Sequence, residues 1–131
     1  MRSRHLSCVI RVGPKAVYAF ASDPDNLPAW SAGLAHSEVT RHDDVLSVDS
    51  PMGRVVVRFL PRNDFGILDH DVTLPSGATI TNPFRVLAHP DGSEVLFTVR
   101  QIEMTDDEFE RDCTTVLEDL TRLKTLVEAS T

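Results

Sequence analysis

The C-terminal quarter of the chain sets the tightest limit on what it can fold into. Phe109, Cys113, Val116, Leu117, Leu120, Leu123 and Val127 recur at spacings of three and four, which aligns them along one stripe of an α-helix. The start of that helix is written into the residues before it. Thr105 is followed three positions later by Glu108, the pattern of a capping box, and Met104 and Phe109 flank the cap as a hydrophobic staple would. Asp106, Asp107 and Glu108 place negative charge at the positive end of the helix dipole. From Thr105 to about Ala129 the element would run about 35 Å, at a rise of about 1.5 Å per residue. A helix of this length with one wide apolar face needs a broad apolar surface to cover it.

The rest of the chain can supply that surface only as a sheet. His5–Val12 alternates, with Leu6, Cys8, Ile10 and Val12 on one face, and reads as a strand stopped by Gly13-Pro14. Pro14 suits the first turn of a helix, which carries Val17, Phe20 and Ala21 and ends near Asp23. Pro24 opens a second short helical piece with Asp23 as its N-cap, and Gly33 ends it. Six short runs follow, separated by "HDDV", "PMG", "PRNDFG", "PSG" and "HPDG". These connections carry the Pro, Gly, Asn and Asp of tight turns and are too short for parallel crossovers, so the runs form an antiparallel meander. "ILDHDVTL" and "ATITNPFRVL" each read as one strand, giving seven in all with the first.

Composition narrows the function classes. The 131 residues, 41% hydrophobic and 25% charged, fit one ordinary globular domain spanning 1–131. A net charge of -7 argues against nucleic acid as a partner, since a phosphate backbone is met with a basic face. Cys8 and Cys113 lie far apart among apolar neighbours and read as small core residues of a reduced, cytoplasmic protein. No run has the length of a membrane span. No zinc spacing, phosphate loop, nucleophile elbow or dinucleotide fingerprint is present, and the expected cofactor and metal complement is none.

The order of elements, together with "VYAFASDPDNLPAW" after the first strand, resembles the START-like or SRPBCC superfamily, which includes polyketide cyclase/dehydrase-like proteins and lipid-transfer domains. The resemblance covers essentially the whole chain. It implies an α+β helix-grip fold: a curved seven-stranded antiparallel sheet wrapped around the long C-terminal helix, with two short helices between strands one and two. It also implies a cavity between sheet and helix, with Pro24 and Pro28 bending the short helices around its open end and Trp30 turned inward. Trp30 could there fill core space or stack on a ligand.

Strand parity selects the residues that could carry chemistry. Leu68, His70, Val72 and Leu74 share a face, so His70 is the one titratable side chain on an apolar strand face. A buried imidazole can act as acid or base or can grip a ligand, and it can equally be a hydrogen-bonded core residue. Asp69 and Asp71 fall on the opposite face and cannot orient it. Ile80, Asn82, Phe84 and Val86 share the inward face of the next strand, where Pro83 removes a ladder donor and threatens a slip in parity. Counting from "PSG" puts His70 and Asn82 at similar height, two polar groups converging in an apolar pocket. On the last strand, Val95, Phe97 and Val99 continue to Gln101 as the inward row. The expected ligand-binding wall is therefore Trp30, Asn82, Phe84, Phe97 and Gln101, closed from the helix by Phe109 and Cys113. Tyr18 can reach the cavity mouth or water, and the other histidines carry no chemical signal: His89 and His42 fall in turns, His36 starts a strand and His5 is near the N-terminus.

Three functions fit these residues. One is binding of a small hydrophobic molecule between the sheet and the helix. A second is an enzyme resembling polyketide cyclases or dehydratases, with His70 as its acid–base. A third is an interaction protein with a collapsed cavity. A homodimer is left open.

Overall fold

The computed structural model describes residues 1–32, 38–43, 45–50 and 53–130. Gly33, His36 and parts of the "HDDV" and "PMG" turns lie outside them. Along the chain run β1 (Ser3–Ile10), α1 (Pro14–Ala21), a 3₁₀ turn (Pro24–Asn26), α2 (Leu27–Trp30), β2 (Glu38–His42), β3 (Val45–Ser50), β4 (Gly53–Phe59), β5 (His70–Thr73), β6 (Thr79–Asn82), β7 (Phe84–His89), β8 (Gly92–Arg100) and α3 (Asp106–Ala129). Every strand pair is antiparallel.

The strands number eight among the described residues, in a three-stranded sheet β1-β8-β7 and a five-stranded sheet β2-β3-β4-β5-β6. The expected seven-stranded sheet is thus corrected, and Pro83 is the cause. It has no N–H to give to a ladder, so "ATITNPFRVL" divides into β6 and β7 around it. Its partner run divides as well. Residues 70–73 form β5, while Leu68 donates to the Phe84 carbonyl at 2.8 Å and Val86 donates to the Gly66 carbonyl at 2.9 Å. The register does not slip across the break. His70 pairs with Asn82, and the bridge Ile67–Arg85 lies three residues back on one strand and three on along the other.

The Leu68–Phe84 position shows how the break is closed. The ladder bond runs one way, from Leu68 N–H to the Phe84 carbonyl. The Phe84 N–H goes to Asp69 Oδ1 at 2.9 Å, and the Leu68 carbonyl accepts from His70 Nδ1 at 3.0 Å. Two side chains thus satisfy backbone groups that a regular ladder would pair with each other.

Helix α3 begins as its sequence dictates. Thr105 Oγ1 accepts from Glu108 N–H at 3.2 Å, and Glu108 Oε1 accepts from Thr105 N–H at 2.9 Å. Met104 packs against the cluster that contains Phe109. The buried stripe is Phe109, Cys113, Leu120, Leu123 and Val127, with Val116 partly covered. Leu117, which the periodicity places with them, is 43% exposed. Successive helical residues are about 100° apart. Leu117 therefore turns away from the face on which its neighbour Val116 packs against Phe109 and Cys113.

The helix lies on β1 and β8, and α1 and α2 also pack against it. One core cluster joins Ile10, Leu46, Val86 and Val95 of both sheets to Leu120, Leu123 and Val127 of α3. Arg2 and Arg4 lie over the Phe109 ring at 4.8 and 5.3 Å and both bind Glu110, holding its carboxyl down at about 2. Past the middle of the helix, Asp119 accepts from Ala32 N–H at 3.1 Å, and Arg122 Nε donates to the Trp30 carbonyl at 3.2 Å. These two bonds clip the end of α2 to α3 and hold Trp30 inward, 5% exposed.

Candidate functional site

The break at Pro83 also builds the polar spot. His70 and Asn82 are register partners, so their side chains leave the same face of the sheet. That face is the interior, because the ring of Phe84, 1% exposed, lies 6.5 Å from the imidazole. Phe59, the register partner of His70 on β4, is 4.8 Å away, and Phe97 of β8 is 5.7 Å away. The imidazole therefore stands among three phenylalanine rings supplied by three strands.

Its tautomer follows from its partners. A carbonyl oxygen only accepts, so Nδ1, at 3.0 Å from the Leu68 carbonyl, carries the proton in neutral His70. Nε2 is then an acceptor, with Asn82 Nδ2 at the long distance of 3.5 Å. Burial disfavours the imidazolium and lowers the pKa of His70 from its ordinary value. The Leu68 carbonyl and the charges of Asp69 and Asp71 push the other way without reversing it. Asp69 itself points outward. Burial raises its pKa, but the bonds from Arg85 and the Phe84 N–H outweigh that and leave it lowered.

His70, Asn82, Phe59 and Phe97 all keep partial exposure although they face inward. The structure thus brings together His70, Asn82, Phe84 and Phe97 of the expected site residues. Trp30 adjoins them through Phe84, at 5.8 Å between ring centroids. Its Nε1 is buried and has no hydrogen-bond partner among the described residues. Phe109 and Cys113 belong to a second cluster with Val99, which meets the first through Phe97 and Val116. Gln101 is not at the polar spot: its amide donates to the Met104 carbonyl at 3.1 Å and to Asp106 at 2.9 Å, at the start of α3. Tyr18 serves the fold, its hydroxyl accepting from Asn63 N–H at 2.9 Å.

Two residues of the site are not visible in the sequence pattern. Phe59 could be found by counting back across the β4–β5 connection, but the length of that loop hides the register. Parity places Asp69 outward, as observed, yet nothing in the pattern shows that its carboxylate replaces a ladder carbonyl.

Two open concavities lie elsewhere. One, of about 980 Å³, lies between α1 and residues 62–66 and is lined by Lys15, Tyr18, Arg62, Phe65 and Val86. The other, of about 540 Å³, runs along α3 past Leu117, Thr121 and Arg122. Neither is lined by His70 or Asn82. Among the described residues no cluster of His, Cys, Asp or Glu is placed to hold a metal ion, and no helix is long and apolar enough to cross a membrane.

The sequence matches no protein-family model and no curated protein. Solved structures do match. Protein CV1439 from Chromobacterium violaceum superposes with a TM-score of 0.74 at 16% identity, over 98% of this chain and 99% of that one. Aha1 from Colwellia psychrerythraea, solved as a dimer in solution, gives 0.77 at 15% identity over 98% and 97%. DynU16, from the dynemicin biosynthetic locus, gives 0.74 at 10% identity, over 98% of this chain and 48% of that one. At these identities the likeness is one of fold. It is consistent with a helix-grip arrangement.

Proposed function

We propose that the protein is a helix-grip, SRPBCC-like binder of a small apolar molecule held between the sheet and α3, with His70 and Asn82 meeting its polar group. The observation that carries this reading is the imidazole Nε2, an acceptor whose Asn82 contact is a long 3.5 Å, set among Phe59, Phe84 and Phe97. A few convergent polar groups on apolar walls are the pattern of a small-molecule site. Native mass spectrometry of the freshly purified protein tests it. The expected result is a small-molecule adduct that is lost on denaturation and weakened in His70→Ala. An apo mass alone, together with no uptake of a neutral apolar dye, would overturn the reading.

One observation favours catalysis as a second reading. The Leu68 carbonyl fixes the proton on Nδ1, which leaves Nε2 oriented as a base. In a cyclase- or dehydratase-like reaction His70 would take a proton from the bound substrate. His70→Ala would then lower turnover far more than binding.

A further inference from the structure

We propose that the polar spot selects a neutral molecule bearing a hydroxyl group and rejects a carboxylate or phosphate head. This deepens the binding reading and rests on it. With Nδ1 committed to the Leu68 carbonyl, Nε2 is left as an acceptor met by Asn82 Nδ2 only at a long 3.5 Å, so a closer donor can take its lone pair. A hydroxyl gives that proton and keeps lone pairs of its own. The Asn82 amide, giving up its long contact with Nε2, can then donate to the hydroxyl oxygen. The buried Trp30 N–H is also unpartnered among the described residues, and its ring lies 5.8 Å from that of Phe84.

The charges around His70 argue against an anion. From β4 the ring meets Phe59, from β6 Asn82, from β7 Phe84 and from β8 Phe97. On its own run the nearest charges are Asp69 and Asp71, both negative. The neighbouring cations do not turn inward: Arg85 is bound to Asp69, and Arg58 is exposed opposite Asp71. An anionic head would lose its hydration, meet a lone pair and find no cation among the described residues facing the ring. The net charge of -7 opposes its approach as well.

Equilibrium dialysis of the full chain at pH 7.5 against naphthalene, 2-naphthol and 2-naphthoate separates the possibilities, since the three share one ring system. The expected order is 2-naphthol about tenfold tighter than naphthalene, the worth of one well-made buried hydrogen bond, with the naphthoate weakest. In His70→Leu the naphthol advantage should vanish while naphthalene still binds. Naphthol binding no better than naphthalene, naphthoate binding as well as naphthol, or an advantage that survives in His70→Leu would each overturn the selection while leaving apolar binding in place. If naphthalene itself does not bind, the binding reading fails and the selection with it. The wild-type comparison stands even if the variant does not fold.

Discussion

Asn82 and His70 face each other across the β5–β6 ladder, with Asn82 Nδ2 at 3.5 Å from His70 Nε2. The pair sits one residue before the point where Pro83 interrupts the ladder, and His70 closes that interruption through its other nitrogen. A single imidazole therefore serves the backbone with one edge and the interior with the other.

That dual role makes stability depend on pH. Burial lowers the folded-state pKa of His70 below the ordinary 6.5, so in acid the unfolded chain binds the proton more readily. The contribution of His70 is fully present above the unfolded value and is lost as pH falls through it toward the folded value. The slope cannot exceed about 1.4 kcal/mol per pH unit. Urea denaturation at pH 7.5 and pH 5.5 should show the wild type losing more stability than His70→Gln. Equal losses would show that His70 is not held neutral by its surroundings.

Asp69 and Arg85 form a bonded pair, yet their substitutions should differ. Asp69→Ala leaves the Phe84 N–H without its acceptor and should cost about 1–3 kcal/mol. Arg85→Ala removes only the half-exposed partner and should cost about 0–1 kcal/mol. Denaturant midpoints of the two variants check the order. The reverse order would mean that the ion pair, not the ladder repair, is what matters.

On α3 the same substitution at two nearby leucines should separate core from surface. Leu120 is 0% exposed, and Leu120→Ala should cost about 2–5 kcal/mol. Leu117 is 43% exposed, and Leu117→Ala should change stability by no more than about 0.5 kcal/mol. Thermal melts of both variants decide whether the helix is oriented as described.

These cases show why some of the molecule can be read from its sequence. The start of α3 is legible because a capping box is local: Thr105 and Glu108 are three residues apart. The inward parity of His70, Asn82 and Phe97 is legible because side chains alternate and the register runs through Pro83 unbroken. The division of the sheet is not, since whether a proline ends a strand depends on what its neighbours can bond to. Gln101 follows the last residue of β8, where strand parity no longer governs, and the turn into α3 supplies the partners of its amide. The clip of Asp119 and Arg122 on α2 joins residues far apart in sequence, and no local pattern announces it.

Gly66 links the backbone to the site. Its φ is +70°, and an added Cβ would lie 2.5 Å from the Val86 carbonyl oxygen. Gly77 also has a positive φ, +91°, but a Cβ there meets nothing within 4 Å. Gly77→Ala should therefore cost only the conformational strain, roughly 1–2 kcal/mol. Gly66→Ala adds a backbone clash and should cost more. It should also reach His70, because residues 66–68 must move to relieve the clash, and the Leu68 carbonyl holds Nδ1. Denaturant midpoints measure the first effect. The imidazole proton resonances of His70 measure the second, and they should shift in Gly66→Ala and stay in place in Gly77→Ala. Unchanged resonances in a destabilised Gly66→Ala would show that the Leu68 carbonyl does not position the imidazole.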